Sequence, residues 1–198
     1  MEKININKVT LSYETIGEGS DVLLLHGFPS NMFMWDKIKN DLVSNGYRVT
    51  IVEQRGYPLS RLDNSEISKF NITELSKDIE DLVKILKIDQ NLTIVGHDWG
   101  SIVGWAIVSR ENIMIEKLIS ICGGTEFPTS NVYSDLNYHG KPHYISSFQD
   151  VVKSSIIIDN NLESFFRSSY RLNNQNSINP DLSLKNVFIK NKVNESIF

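Results

Sequence analysis

The stretch from Thr93 to Trp105, TIVGHDWGSIVGW, sets one carboxylate, Asp98, midway between Gly96 and Gly100, after an apolar run and ahead of a helical pattern. A carboxylate at the carboxyl end of a strand can attack an electrophilic carbon if the backbone turns sharply there. The positions two before and two after it must then be small, so that the strand and the following helix can approach each other. That helix also aims its amino-terminal N–H groups and positive dipole end at the site, which favours an ionised acid and stabilises a forming oxyanion. Asp is equally a common helix N-cap, here for a helix opening at Ser101. The pentapeptide alone leaves both readings open.

A second motif favours the nucleophile. HGFP, His26 to Pro29, directly follows the apolar run VLLL, where a loop brings a backbone N–H toward the end of the neighbouring strand. No metal-ligand cluster, phosphate-cradling glycine loop or dinucleotide glycine pattern accompanies these motifs, so neither a cofactor nor a metal is expected.

The elements that must position these residues alternate along the chain. Ile4–Ile6 and Val9–Tyr13 predict a short antiparallel start, turned by GEGSD, before Val22–Leu25 supplies a strand buried on both faces. Residues 31–45 carry Phe33, Trp35, Ile38 and Leu42 at helical spacing, and Gly46 stops them ahead of the strand RVTIVE. Ile72, Leu75, Ile79, Leu82, Val83 and Leu86 form one apolar helix face, opened by Asn71 and Glu74 in the manner of a capping box. LTIV, a helix from Ser101 to Arg110 and the strand KLISIC complete a β-α-β-α-β-α-β order, which calls for an α/β fold with a mostly parallel, doubly covered sheet. Cys122, ending that last strand, is expected to be a buried packing residue.

Beyond Thr125 the strand rhythm stops. FQDVVKSSIIID and LESFFRSSYRL read as short helices, and NNQNSINPD as a loop. The expected division is residues 1–125, a sheet core, and 126–198, a partial helical cap. The 198 residues are 40% hydrophobic and 22% charged, with a formal charge of -4, and carry no basic stripe of the kind that holds a phosphate backbone, so nucleic acid is not an expected partner. A single cysteine excludes an intrachain disulfide. No signal segment or membrane-length apolar run is evident, so a cytoplasmic protein without a membrane partner is expected, and the Asn-x-Ser/Thr triplets at Asn71, Asn91 and Asn194 carry no weight.

Together, LLLHGFPSNMFMW, VEQRGYPLS and IVGHDWGSIVGW resemble the α/β-hydrolase fold, in the branch with an aspartate nucleophile that contains epoxide hydrolases and haloalkane dehalogenases. The resemblance covers about Val22 to Cys122. It implies that Asp98 attacks an electrophilic carbon to form an alkyl ester, that the backbone N–H groups of Phe28 and Trp99 form the oxyanion hole within a loop shared by His26, Gly27 and Pro29, and that a histidine-activated water hydrolyses the ester. Glu53 stands where the family usually has aspartate, and Pro58 where it has glycine; Arg55 and Gly56 are expected to be structural.

The segment KPHYISSFQD resembles the opening of an epoxide hydrolase cap, where a Tyr-x-x-x-Phe-Gln motif carries one of two lid tyrosines that hydrogen-bond the epoxide oxygen; Tyr144, Phe148 and Gln149 match it. A phenol suits the ring opening, which generates an alkoxide in need of a proton, whereas a merely packed Tyr144 would leave its hydroxyl in water. A haloalkane dehalogenase is the alternative, since the Trp99 indole can face a halide, although that branch commonly has asparagine where Phe28 stands. The substrate implied is a small apolar epoxide or alkyl halide. His26 and His97 belong to the two motifs and are expected to brace loops, and His139 and His143 precede the cap tyrosine. The base and its acid partner are therefore expected beyond Phe198, with the C-terminal part of the core. A non-catalytic remnant is the alternative of a different class, and the oligomeric state is not readable.

Overall fold

The computed structural model describes residues 1–62, 67–123 and 151–169. The chain divides into two compact units, Met1–Thr125 and Glu126–Phe198. In the first, β1 (Glu2–Ile6) and β2 (Val9–Ile16) form an antiparallel hairpin with Ile6 opposite Val9. Its two-residue turn, Asn7 and Lys8, has φ of 50° and 67°. Two consecutive positive φ values give a turn whose twist matches that of the flanking strands.

The sheet continues through β3 (Ser20–Leu25), β4 (Tyr47–Glu53), the two-residue β5 (Arg61–Leu62), β6 (Leu92–His97) and β7 (Ile115–Ile121). Its order is β1-β2-β4-β3-β6-β7, with β5 paired to β2. β2 pairs antiparallel with β4, whereas β4–β3, β3–β6 and β6–β7 are parallel. The strand β6, which leads into Asp98, thus lies directly beside β3, the strand that leads into the HGFP loop.

Alternate residues of β3 enter opposite cores, as its unbroken apolar run predicts. Leu23 and Leu25 pack with Ile79, Leu82 and Val83 of α2 (Ile72–Leu86) and Val103 and Ile107 of α3 (Trp99–Arg110). Val22 and Leu24 pack with Val49, Ile51, Met32 and Trp35 on the other face, beside α1 (Asp36–Ser44). Full burial of each such aliphatic side chain stabilises by about 1.5–3 kcal/mol. At the start of α2, Asn71 Oδ1 accepts from the Glu74 N–H at 3.1 Å, the predicted cap.

Two expectations need correction. The helix foreseen over residues 31–45 is a 3-10 turn, Met32–Trp35, followed by α1. A 3-10 turn advances about 120° per residue rather than 100°, which shifts the phase. Met32 and Trp35 point inward, while Phe33 and Ile38 are 46% and 45% exposed. Cys122 is exposed, not buried. Among the described residues β7 pairs only with β6, and Cys122 follows it in a left-handed turn at φ 57°.

In the second unit the described residues form α4 (Val151–Asn160) and α5 (Leu162–Ser169), with Ile158 and Phe166 buried and the Phe165 and Phe166 rings edge to face at 5.3 Å. Residues 148–150 and 170–172 of the two predicted helices lie outside the described residues. No helix among the described residues is long and apolar enough to cross a membrane.

Candidate active site

Asp98 joins β6 to α3 with φ 52° and ψ -119°, a conformation that non-glycine residues rarely adopt. Such strain costs on the order of 1–3 kcal/mol and persists only where the surroundings over-determine it. Here they do. The Asp98 N–H donates to the Ile121 carbonyl at 2.9 Å, and its own carbonyl accepts from the Ser101 N–H at 2.9 Å. Ser101 Oγ donates to the Gly96 carbonyl at 2.6 Å and accepts from the Ile121 N–H at 3.0 Å, tying β6, β7 and α3 together beneath the turn.

The flanking glycines are sterically required. A Cβ on Gly96 would strike the Gly100 carbonyl, and one on Gly100 would strike the carbonyls of Leu25 and His26. Gly27 is equally constrained, since its Cβ would stand 2.5 Å from Asp98 Oδ1. These three positions let β6, α3 and the loop after β3 converge on one carboxylate.

Asp98 stands at the N-cap position of α3, but its side chain makes no hydrogen bond of the usual N-cap kind. Its Oδ1 instead accepts from the backbone N–H of Phe28 at 2.8 Å. The Trp99 N–H also bonds to the carboxylate. Burial raises the Asp98 pKa above the ordinary carboxylate value; the Trp99 and Phe28 N–H groups and the nearby His97 oppose it without prevailing. The helix-end N–H thus acts in the expected direction, toward the ionised acid, while desolvation is the larger effect.

The loop after β3 is braced from β4. His26 is fully buried, and its Nε2 accepts from the Gln54 N–H at 3.0 Å. A backbone N–H can only donate, so Nε2 carries no proton and the ring is neutral, with its proton on Nδ1 toward the Gly27 carbonyl at 3.4 Å. Burial agrees, pulling the His26 pKa down to about 4. The Tyr57 ring meets the imidazole edge-on at 4.4 Å. Gln54 Nε2 also donates to the His26 carbonyl. Pro29 follows Phe28 through a cis peptide bond.

Next to Gln54, Arg55 is buried and forked onto Asp78 of α2, with Nε–Oδ2 and Nη2–Oδ1 both at 2.6 Å, and Nη1 reaches the Lys69 carbonyl at 2.7 Å. Glu53, also buried, has a carboxyl pushed up to about 7 by burial, against the Leu59 N–H, which holds it down. Its Oε2 has no hydrogen-bond partner.

The structure therefore brings together His26, Gly27, Phe28, Asp98 and Trp99. The Trp99 side chain is 39% exposed. Tyr144, Phe148, Gln149, His139 and His143 lie outside the described residues. Gln54 escaped the sequence reading; the available signal was a polar Glu-Gln-Arg triplet abutting the carboxyl end of an apolar strand. An open depression lined by Asp89, Val108, Glu111 and Met114 adjoins the opposite ends of β6 and β7. Among the described residues no group of three or more His, Cys, Asp or Glu side chains is placed to hold a metal ion.

Comparison with known proteins agrees with this architecture. Epoxide hydrolase 2 of Caenorhabditis elegans is 28% identical over 195 residues, covering 93% of this chain and 54% of that protein. The AB hydrolase superfamily protein YfhM of Bacillus subtilis is 39% identical over 121 residues, 60% of this chain and 41% of that protein. Among solved structures, epoxide hydrolase VrEH1 from Vigna radiata superposes with a TM-score of 0.74 at 28% identity, covering 91% of this chain and 60% of that one. The chain spans about half the length of these curated relatives. Residues 22–194 match the α/β hydrolase fold family, and with its parallel sheet, strained Asp98 turn and facing Phe28 N–H, the chain belongs to that family.

Proposed function

We propose that Asp98 is the nucleophile of an epoxide-opening hydrolase. The observation that carries this reading is the Phe28 N–H held 2.8 Å from Asp98 Oδ1 at a positive-φ turn. Oδ2 attacks the less hindered epoxide carbon, the C–O bond of the ring breaks, and the electron pair leaves on the epoxide oxygen, which takes a proton from Tyr144. Oδ1 becomes the carbonyl oxygen of the resulting ester and already sits against the donors that stabilise the tetrahedral oxyanion when water attacks. The epoxide hydrolase names of the relatives favour an epoxide over an alkyl halide.

Hydrolysis of the ester needs a general base. Neither described histidine is placed as that base: both His26 nitrogens face loop groups, and the buried His97 Nδ1 has no hydrogen-bond partner to orient or activate the ring. No base is therefore assigned among the described residues. The 198-residue chain incubated with styrene oxide is expected to give a single covalent adduct, mapped to Asp98 by mass spectrometry and absent in Asp98→Ala, without sustained diol release. Absence of any Asp98 adduct overturns the nucleophile assignment, and sustained diol formation shows that a residue of this chain supplies the base.

A further inference from the structure

We propose that Gln54 is a positioning residue for the oxyanion hole, fixing the Phe28 N–H on Asp98 through two hydrogen bonds to His26. This rests on the reading of Asp98 as nucleophile. The peptide that carries the Phe28 N–H lies in a loop whose entry, His26, has to be oriented before Gly27 and Phe28 can reach the elbow. Gln54 holds His26 at both ends. Its N–H donates to the ring Nε2 at 3.0 Å, and its side-chain Nε2 donates to the His26 carbonyl, so the ring and the backbone of one residue are clamped by one other residue.

The clamp is itself anchored. Gln54 is 3% exposed and stands between the end of β4 and Arg55, whose guanidinium is forked onto Asp78 of α2. From α2 to the nucleophile a continuous line of contacts therefore runs Asp78, Arg55, Gln54, His26, Gly27, Phe28, Asp98. Gly27 has no room to drift, because a single added carbon would collide with Asp98 Oδ1 and the His97 carbonyl. A small rotation of the His26 peptide would thus displace the Phe28 donor. Oxyanion donors lose their effect steeply with misplacement, because they act on charge at a fixed point without reorganising. Gln54 reaches no substrate; it acts through His26.

Two substitutions separate this role from simple packing. Gln54→Met keeps the volume and the backbone bond to His26 Nε2 but removes the side-chain donor. Gln54→Glu keeps the shape and donates only when its carboxyl is protonated. Alkylation of Asp98 by styrene oxide, which depends on the Phe28 N–H to hold the carboxylate in its attacking orientation, is expected to slow roughly tenfold in Gln54→Met. The rate of Gln54→Glu relative to wild type is expected to rise as pH falls from 8 to 5. A wild-type rate in Gln54→Met, or a ratio flat with pH, overturns the proposal.

The amide resonance of Phe28 supplies a readout independent of chemistry. It is expected to shift between wild type and Gln54→Met while the ring nitrogens of His26 keep their tautomer, and an unmoved Phe28 amide overturns the clamp. If the wild type forms no Asp98 adduct, the nucleophile reading fails, and the Phe28 resonance still decides whether Gln54 positions the loop.

Discussion

Phe28 and Asp98 meet through a main-chain donor and a side-chain acceptor, N–H to Oδ1 at 2.8 Å. The donor belongs to the peptide and not to the aromatic ring. Phe28→Ala is therefore expected to alkylate Asp98 within about tenfold of the wild-type rate, since only apolar contact with substrate is lost. Asp98→Asn, which keeps the shape and replaces the proposed nucleophilic carboxylate with an amide, is expected to give no adduct; intact-mass measurement of both variants checks the pair.

Gly100 lies against the carbonyls of Leu25 and His26, and both are backbone atoms that cannot step aside. Gly100→Ala is expected to destabilise the fold by roughly 1–3 kcal/mol, the range for an overpacked site. It is also expected to abolish adduct formation, because separating α3 from β3 carries the elbow away from the Phe28 loop. Urea unfolding and labelling of the same sample test both effects.

The Arg55–Asp78 pair is almost fully withdrawn from water, with side-chain exposures of 1% and 2%. Asp78→Ala leaves a buried guanidinium facing, among the described residues, Glu74 at 3.5 Å and the Lys69 carbonyl, and is expected to cost about 3–5 kcal/mol. Replacing both partners, Arg55→Met with Asp78→Leu, is expected to recover most of that loss. Denaturant midpoints of the two variants, compared with wild type, give the measurement.

Glu53 links stability to pH. Its folded pKa of about 7 lies above the ordinary value of 4.5, so the folded state holds its proton more tightly than the unfolded chain. Its stabilising contribution is full below about 4.5, is lost as pH rises through about 7, and is then absent. His26, with its pKa lowered to about 4, acts in the opposite sense and loses stability as pH falls. The comparison must therefore be with Glu53→Gln, which removes only the first effect. The stability of wild type relative to Glu53→Gln is expected to fall between pH 4.5 and 7 by on the order of 3 kcal/mol, as the Glu53 pKa implies, measured by urea unfolding across that range.

The parts of the fold that repeat were readable in the sequence. The VLLL run of β3, the apolar face of α2 and the Gly96–Asp98–Gly100 spacing each state a local rule, either burial on two faces, helical period or room for a sharp turn. What was missed depends on contacts between distant elements. Phe33 and Ile38 turned outward because a 3-10 turn changed the angular step ahead of α1. Gln54 and Glu53 are single polar residues after an apolar strand, and nothing periodic marks them as buried. Glu53 lies beside Ser12 of β2 and Gln54 is bonded to His26 of the HGFP loop, partners that only the assembled sheet brings near.

The bond between Phe28 and Asp98 joins residues 70 positions apart, and it exists only after β3 and β6 have paired in register. Parallel pairing across long chain loops is entropically costly and forms slowly. A collapsed but misregistered chain would expose the same aspartate without the facing donor or the strained turn. The single-turnover reactivity of Asp98 is therefore expected to count correctly assembled molecules, so that the labelled fraction in a preparation reports its native fraction as an active-site titration would, with no need for catalytic turnover.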